Sequence, residues 1–152
     1  MITIALDELA SHKGEVIGCS PWKTITQEMI RAFADATGDH QWIHVDVERA
    51  TTESPWKSPV AHGFLTISLI PVMNQSVMHI TGTAATINYG MNKLRLPSAV
   101  KSGSDIRSRV ELIDVTPVDD KRVLATYQTT VEINGETKPA CVAETLAMYV
   151  KA

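Results

Sequence analysis

The sequence has few cysteines and no long apolar run, and each absence excludes a class of protein. Its 152 residues contain only two cysteines, Cys19 and Cys141, neither of them within a metal-ligand spacing. This excludes a zinc knuckle, a redox CxxC motif and a disulfide scaffold, and both thiols are expected to be buried. Nowhere does the chain carry the roughly 18 consecutive apolar residues that a membrane span requires. We therefore expect no membrane segment.

Charge of one sign is also missing from any long stretch. Lys and Arg total 14 and Asp and Glu total 17, which gives a net charge of −3. A chain without a basic patch is a poor partner for nucleic acid. The first ten residues lack the basic segment and apolar run of a secretion signal, so we expect a cytoplasmic protein.

What the chain does have is enough apolar material for one core. Apolar residues make up 44% of the sequence and charged residues 20%, which is typical of a folded globular chain. No linker or change in composition divides it, and no repeat is visible. We therefore predict a single domain over residues 1–152.

The first half of the sequence predicts a short strand, one capped helix and a loop. A strand is expected at residues 15–19. Thr26 is a good N-cap and Gly38 a good C-terminal cap, which together predict a helix that ends just before Asp39. Residues 39–59 predict a long surface loop or lid with one short helix at residues 47–52.

The second half predicts a core helix followed by a sheet. Apolar residues lie on every side of a helical wheel over Gly63–Met78, which predicts a helix enclosed on nearly all faces. From residue 83 the apolar residues recur at every second position, which predicts strands. Apolar and polar residues alternate most regularly over residues 122–133. Asn134-Gly135 predicts a tight hairpin. The expected class is α+β, with four antiparallel strands wrapped around the helix at residues 83–96, 104–115, 122–133 and 139–150.

The segment from Gly38 to Asp46 holds the densest group of reactive side chains. Asp39 and His44 are five residues apart and could both point at one water molecule, and Asp35 and His40 have the same spacing. We prefer Asp39 with His44, because Asp39 follows the glycine that ends the helix and its main chain is free to bend inward. The alternative is that these are solvated loop residues and a core histidine.

Two other kinds of site fit the sequence less well. His44 and Asp46 with His62 or His79 would make a two-histidine, one-carboxylate iron site, but such sites usually lie on strands of a larger all-β fold. A catalytic serine is not supported, because the sequence has no Gly-x-Ser-x-Gly turn, and a catalytic cysteine is not supported, because neither cysteine has a basic neighbour. We therefore expect no metal.

Gly63 opens the core helix and is the other candidate. Free N–H groups at a helix N-terminus can bind an oxyanion, and glycine has no side chain to block a ligand. The alternative, in which Gly63 only relieves crowding where loop meets core, carries equal weight from sequence.

Three ordered blocks resemble the MaoC-like (R)-specific enoyl-CoA hydratases, in the branch that includes nodulation protein N-like sequences. The blocks are residues 33–39 leading into His44, residues 61–63, and residues 88–97 followed by Gly103. The resemblance covers nearly the whole chain and implies a hotdog fold, an antiparallel sheet around a central helix. The wider family commonly has Asn-Pro where this chain has Gln41-Trp42.

The resemblance also implies the chemistry and the residues that perform it. Asp39 and His44 would activate water for addition to C3 of a trans-2-enoyl thioester, giving an (R)-3-hydroxyacyl product, and dehydration is the reverse. The thioester carbonyl would be polarised by the Gly63 N–H, with His62 and Phe64 beside it. No cofactor is implied, since coenzyme A is part of the substrate. Binding without catalysis and thioester hydrolysis are the alternative functions.

Partners follow from the same resemblance. The substrate would be carried by coenzyme A or an acyl-carrier protein, and Lys93, Arg95 and Lys101 are candidates for contacts with the carrier phosphates. These three are equally well explained as solvated surface charges. A hotdog monomer exposes a sheet edge, so a homodimer is expected.

Overall fold

The computed structural model of the protein describes residues 1–152 and has an α+β architecture. Elements are numbered in chain order, and a 3₁₀ helix at Leu6–His12 lies between the first two strands. The helices are α1 (Gln27–Thr37), α2 (Trp42–Val45), α3 (Val47–Glu53) and α4 (Gly63–Val77). The strands are β1 (Ile2–Ala5), β2 (Val16–Cys19), β3 (Lys23–Thr24), β4 (Met78–Thr81), β5 (Thr83–Arg95), β6 (Asp105–Pro117), β7 (Arg122–Ile133) and β8 (Cys141–Lys151).

The capping residues set the ends of α1 as predicted. The Thr26 hydroxyl accepts a hydrogen bond from the Met29 N–H at 3.2 Å, which satisfies one of the free donors of the first turn. Gly38 ends the helix in the left-handed region at φ 80°, a conformation that glycine adopts without strain. The chain therefore leaves α1 in a new direction just before Asp39.

The long strands form one antiparallel sheet in the order β2-β6-β7-β8-β5, with β3 also beside β6. On β7 the face predicted to be apolar is buried, from Val123 to Ile133 at alternate positions. This face packs on α4, so the sheet curves around the helix as in the hotdog fold. The predicted fold class is confirmed.

The core helix α4 is less enclosed than its sequence predicts. The exposed fractions of Phe64 and Val72 are 72% and 53%, so one side of the helix is open to solvent. Toward the sheet it buries Leu65, Thr66, Ile70, Met73, Asn74 and Val77. The sheet therefore covers only part of a surface that is apolar all round.

The first of the four long strands in the chain, β5, is the edge strand at the opposite end of the sheet from β2. It pairs only with β8, and both of its faces are largely exposed, including Ile87, Tyr89 and Met91. A cavity of about 540 Å³ lies between β5, β8 and the second half of α4. One long apolar edge of the sheet is thus uncovered.

Several local expectations were wrong. Asn134-Gly135 forms a turn, in which the Glu136 N–H donates to the Ile133 carbonyl at 3.1 Å, but β7 and β8 pair only from Val131 with Cys141. The connection is longer than a two-residue hairpin because Asn134 still donates to β6 and Pro139 has no N–H to give. Cys19 is exposed, whereas Cys141 is buried as expected.

No helix of the protein is both long enough and apolar enough to cross a membrane.

Candidate active site

The segment expected to be an irregular lid contains two short helices, α2 and α3. Asp46 ends α2 and caps α3, where its carboxylate accepts from the Arg49 N–H at 3.0 Å. The α3 helix matches the predicted helix at residues 47–52. The α2 helix was not predicted, because its N-cap residue, Gln41, makes no capping hydrogen bond and gives no helix-start signal in the sequence. Asp39 lies in the loop between α1 and α2, and His44 lies within α2.

His44 lies in α2, is buried, and is held by two hydrogen bonds, one to its ring and one to its main chain. Its Nδ1 is 2.6 Å from the Val60 carbonyl oxygen, and its own carbonyl accepts from the Gln27 side chain at 2.7 Å. Because a carbonyl can only accept, Nδ1 carries the proton in the neutral ring and Nε2 keeps its lone pair. The free nitrogen of His44 is therefore a base.

Burial keeps that base unprotonated. The pKa of His44 is lowered from its ordinary value, chiefly because the buried imidazolium would lose its hydration. The nearby His62 also lowers it, while the Val60 carbonyl and Asp39 act in the opposite direction. At neutral pH the ring can thus accept a proton from water.

The Asp39 carboxylate lies largely in solvent. Its Oδ1 accepts from the Gln41 N–H at 3.3 Å. One side-chain atom from each of Asp39, His44 and His62 lies within 4.8 Å of the others. A single water molecule spans such a gap with two hydrogen bonds of about 2.8 Å each. The structure therefore brings the predicted pair together at a separation that one water molecule can bridge.

His62 is held inside the protein, 3% exposed, rather than at the surface of the pocket. Its Nε2 is 2.9 Å from the Asp39 carbonyl oxygen, and its ring stacks on that of His44 with centroids 3.8 Å apart. Phe33 of α1 packs on the same ring at 5.0 Å. The His62 side chain, predicted to bind substrate, thus contacts both members of the dyad.

The three side chains are poorly arranged for a metal ion. The planes of the two imidazoles differ by 24° in a stacked pair, so their in-plane lone pairs run nearly parallel and do not converge on one ion. The iron site considered from sequence is not assembled either, because the Asp46 carboxylate caps α3 and His79 lies on β4, beyond the far end of α4. The arrangement suits proton transfer.

The rival pair of the same spacing forms a separate contact. His40 Nε2 and Asp35 Oδ1 are 2.9 Å apart on the exposed side of α1. The hydrogen bond to Asp35 raises the pKa of His40. This pair is exposed, whereas His44 is buried beside Asp39, which favours Asp39 and His44 as the candidate dyad.

The N-terminus of α4 supplies free donors beside the dyad. No side chain caps this helix, and the N–H groups of Gly63 and Phe64 have no main-chain acceptor. A Cβ atom added to Gly63 would lie 2.5 Å from Leu96 Cδ1. Both sequence readings of Gly63 therefore have support, since glycine makes room for Leu96 and also leaves its N–H open.

The three candidate cations differ in their surroundings. Lys93 Nζ is 3.5 Å from the Glu144 carboxylate, which also accepts from Asn92. Arg95 and Lys101 have no carboxylate within ion-pair distance. Arg95 precedes the leucine that contacts Gly63, and the main chain of Lys101 bridges to Val60. Two of the three cations are thus unpaired and flank the site.

Sequence reasoning missed three contributors. The Val60 carbonyl that fixes the His44 tautomer is a main-chain group and has no sequence signature. Gln27 could have been noticed, because a polar residue in the first turn of α1 lies on the side that faces the lid. Leu96 was part of a recognised block, but its contact with Gly63 depends on the fold.

Known proteins resemble both the sequence and the fold. A family model described as MaoC like domain matches residues 8–133. The 3-hydroxyacyl-thioester dehydratase Z of Mycobacterium tuberculosis is 48% identical over 143 residues, 94% of each chain. Nodulation protein N of Rhizobium meliloti is 44% identical over 149 residues, 97% of this chain and 92% of the relative.

A solved structure gives the same result. The R-hydratase of Pseudomonas aeruginosa, in its unliganded form, is similar with a TM-score of 0.72 and 27% identity, over 91% of this chain and 83% of that one. The family match spans most of the chain, and it agrees with the antiparallel sheet around α4 and with the resemblance in the three sequence blocks. This chain belongs to the MaoC-like family.

Proposed function

We propose that this protein, a hydratase or dehydratase of the MaoC-like family, adds water to trans-2-enoyl thioesters to give (R)-3-hydroxyacyl thioesters. The reverse reaction is dehydration. The observation that carries the proposal is the closeness of Asp39 and His44, since one side-chain atom of each lies within 4.8 Å of the other. The relative from Mycobacterium tuberculosis is named for dehydration of 3-hydroxyacyl thioesters, which supports the same substrate class.

In the proposed mechanism the water is bound by both members of the dyad. It donates one hydrogen bond to His44 Nε2 and the other to the Asp39 carboxylate. As its oxygen bonds to C3, one water proton passes to the dyad, and the dyad returns a proton to C2. General acid–base catalysis of this kind contributes about 10²- to 10⁴-fold. The water supplies both added groups, so the atoms balance without a redox cofactor or a metal.

The negative charge that develops during addition lies on the thioester oxygen. We place this oxygen at the N–H groups of Gly63 and Phe64, which are free in the structure. Donors already oriented toward a developing charge need no rearrangement during the reaction. The Phe64 side chain is 72% exposed, so its contribution is through the main chain.

The anionic carrier of the thioester, coenzyme A or the phosphopantetheine of an acyl-carrier protein, is assigned to Arg95 and Lys101. We expect Arg95→Ala with Lys101→Ala to raise KM for an enoyl-CoA about thirtyfold, since each of the two lost contacts with phosphate costs on the order of 1 kcal/mol. An enoyl N-acetylcysteamine thioester, which has no phosphate, should show unchanged kinetics. Equal losses on both substrates would contradict the assignment.

A homodimer paired through β5 completes the proposal. This strand presents free main-chain groups and exposed apolar residues along thirteen positions, an edge that proteins normally cover. A second copy would extend the sheet and cover the open side of α4.

We expect light scattering coupled to gel filtration to give the mass of two chains, and Ile87→Asp to give one. Val118→Asp is the matched control, because the exposed fractions of Val118 and Ile87 are 46% and 48% and only Ile87 lies on β5. Dimers that survive Ile87→Asp, or a monomeric wild type, would contradict the interface.

The proposed activity is tested by following loss of the enoyl absorbance of trans-2-enoyl-CoAs of increasing length, with chiral analysis of the product. Turnover with (R) stereochemistry is expected. The same assay distinguishes two alternative functions. A protein that only binds thioesters would give no turnover with any CoA or carrier-protein thioester, and a thioesterase would release free thiol.

A further inference from the structure

His62 is buried against both members of the proposed dyad. Its side chain is 3% exposed and is enclosed by Phe33 of α1 on one side and His44 on the other. A group so deeply buried does not touch a thioester at the mouth of the site. Its contribution must therefore pass through its neighbours.

The strongest tie to the main chain of Asp39 comes from this histidine. The His62 Nε2–H donates to the Asp39 carbonyl at 2.9 Å. The other hydrogen bonds of Asp39 are longer, 3.4 Å to the Thr37 hydroxyl and 3.3 Å from the Gln41 N–H. Asp39 lies in a loop just after a helix end, so without His62 its position would be weakly determined.

The tautomer of His62 follows from the same contact. Because Nε2 must carry the proton that the Asp39 carbonyl accepts, Nδ1 of the neutral ring is left with a lone pair. This nitrogen is buried and has no hydrogen-bond partner.

We infer that His62 is a positioning residue that fixes the distance between the activated water and the thioester carbonyl. Its ring holds the Asp39 main chain and stacks on His44 at 3.8 Å. The next residue along the chain, Gly63, provides the N–H proposed to bind the thioester oxygen. One short segment thus links both members of the dyad to the oxyanion donors. The inference rests on the proposed function.

Two variants separate the hydrogen bond from the packing. His62→Phe keeps a ring of similar size for stacking but has no donor, whereas His62→Gln keeps an N–H₂ group that can reach the Asp39 carbonyl. We expect His62→Phe to lower kcat about 10²-fold with KM changed less than threefold, as for an approximately 1 Å displacement of a catalytic group. His62→Gln should recover at least a tenth of the wild-type kcat.

The pH profile gives a readout that packing alone would not move. The titratable groups that act on His44 are Asp39 from the preceding loop and His62 from α4. The other elements against it present the uncharged Gln27 side chain and the Val60 carbonyl. His62 lowers the pKa of His44, so its replacement raises that pKa. The acid limb of kcat should therefore move to higher pH in His62→Phe.

Nitrogen NMR of the wild-type histidines tests the inference even if a variant fails to fold. The expected result is a proton on Nε2 of His62, donated to the Asp39 carbonyl. An Nε2 without a proton, equal kcat in the two variants, or a loss confined to KM would overturn the positioning role. Failure of the proposed function is recognised separately, because then the wild type does not turn over enoyl thioesters at all.

Discussion

We expect Asp39→Asn to lower kcat/KM for an enoyl-CoA by about 10²- to 10⁴-fold, the range for loss of general acid–base catalysis. Asparagine keeps the size of the side chain but cannot take up a proton or carry the charge that orders the water. The carboxylate is largely exposed, and its one close hydrogen bond is from Gln41 at 3.3 Å. The free energy of unfolding should therefore change by no more than about 1 kcal/mol.

Two further variants make the result specific. His44→Ala should cause a similar loss, and the double variant should lose far less than the product of the two single losses, because both residues act on one water. Asp35→Asn is the matched control, since Asp35 and His40 have the same spacing but form an exposed ion pair. A near-normal Asp39→Asn together with an inactive Asp35→Asn would refute the assignment of the dyad.

Gly63→Ala is expected to lower kcat about 10²- to 10³-fold, the effect of losing one oxyanion donor. The added methyl group would itself block the approach of a ligand to the free N–H, and it would also lie 2.5 Å from Leu96 Cδ1. Leu96 is partly exposed and can rotate away, so the protein should still fold. Steady-state kinetics and a thermal unfolding curve measure the two effects separately.

Leu96→Ala distinguishes the two explanations of this glycine. If Gly63 only makes room for Leu96, the double variant Gly63→Ala with Leu96→Ala should be as active as Leu96→Ala alone. If access to the N–H is what matters, the double variant should regain stability but keep the low kcat of Gly63→Ala. We expect the second result, and the first would remove Gly63 from the proposed oxyanion site.

Much of the fold could be predicted because its signals are local. Thr26 and Gly38 mark the ends of α1, and alternate residues of β7 are buried as their period of two indicates. The parallel pair formed by β1 and β4 was missed, because each strand has four residues and pairs with a partner more than 70 positions away, as in Ile2 with Met78. Short strands gain their stability from tertiary contacts that no local pattern records.

The candidate site was predicted in part for a similar reason. Asp39 and His44 are close in sequence, and a glycine stop before them indicated where the chain bends. The stacking of His62 on His44 joins residues 18 positions apart through a loop and two short helices, and the Val60 carbonyl acts through its main chain. Contacts of this kind depend on the folded backbone, so the sequence did not indicate that His62 packs against the dyad.

Water labelled with oxygen-18 provides the most direct test of the central claim. The protein is incubated with a trans-2-enoyl-CoA in labelled water, and the products are analysed by mass spectrometry. We predict one labelled oxygen on C3 of an intact hydroxyacyl-CoA, and almost none with Asp39→Asn. Label in the carboxylate of a released free acid, or no label in any product, would contradict the account.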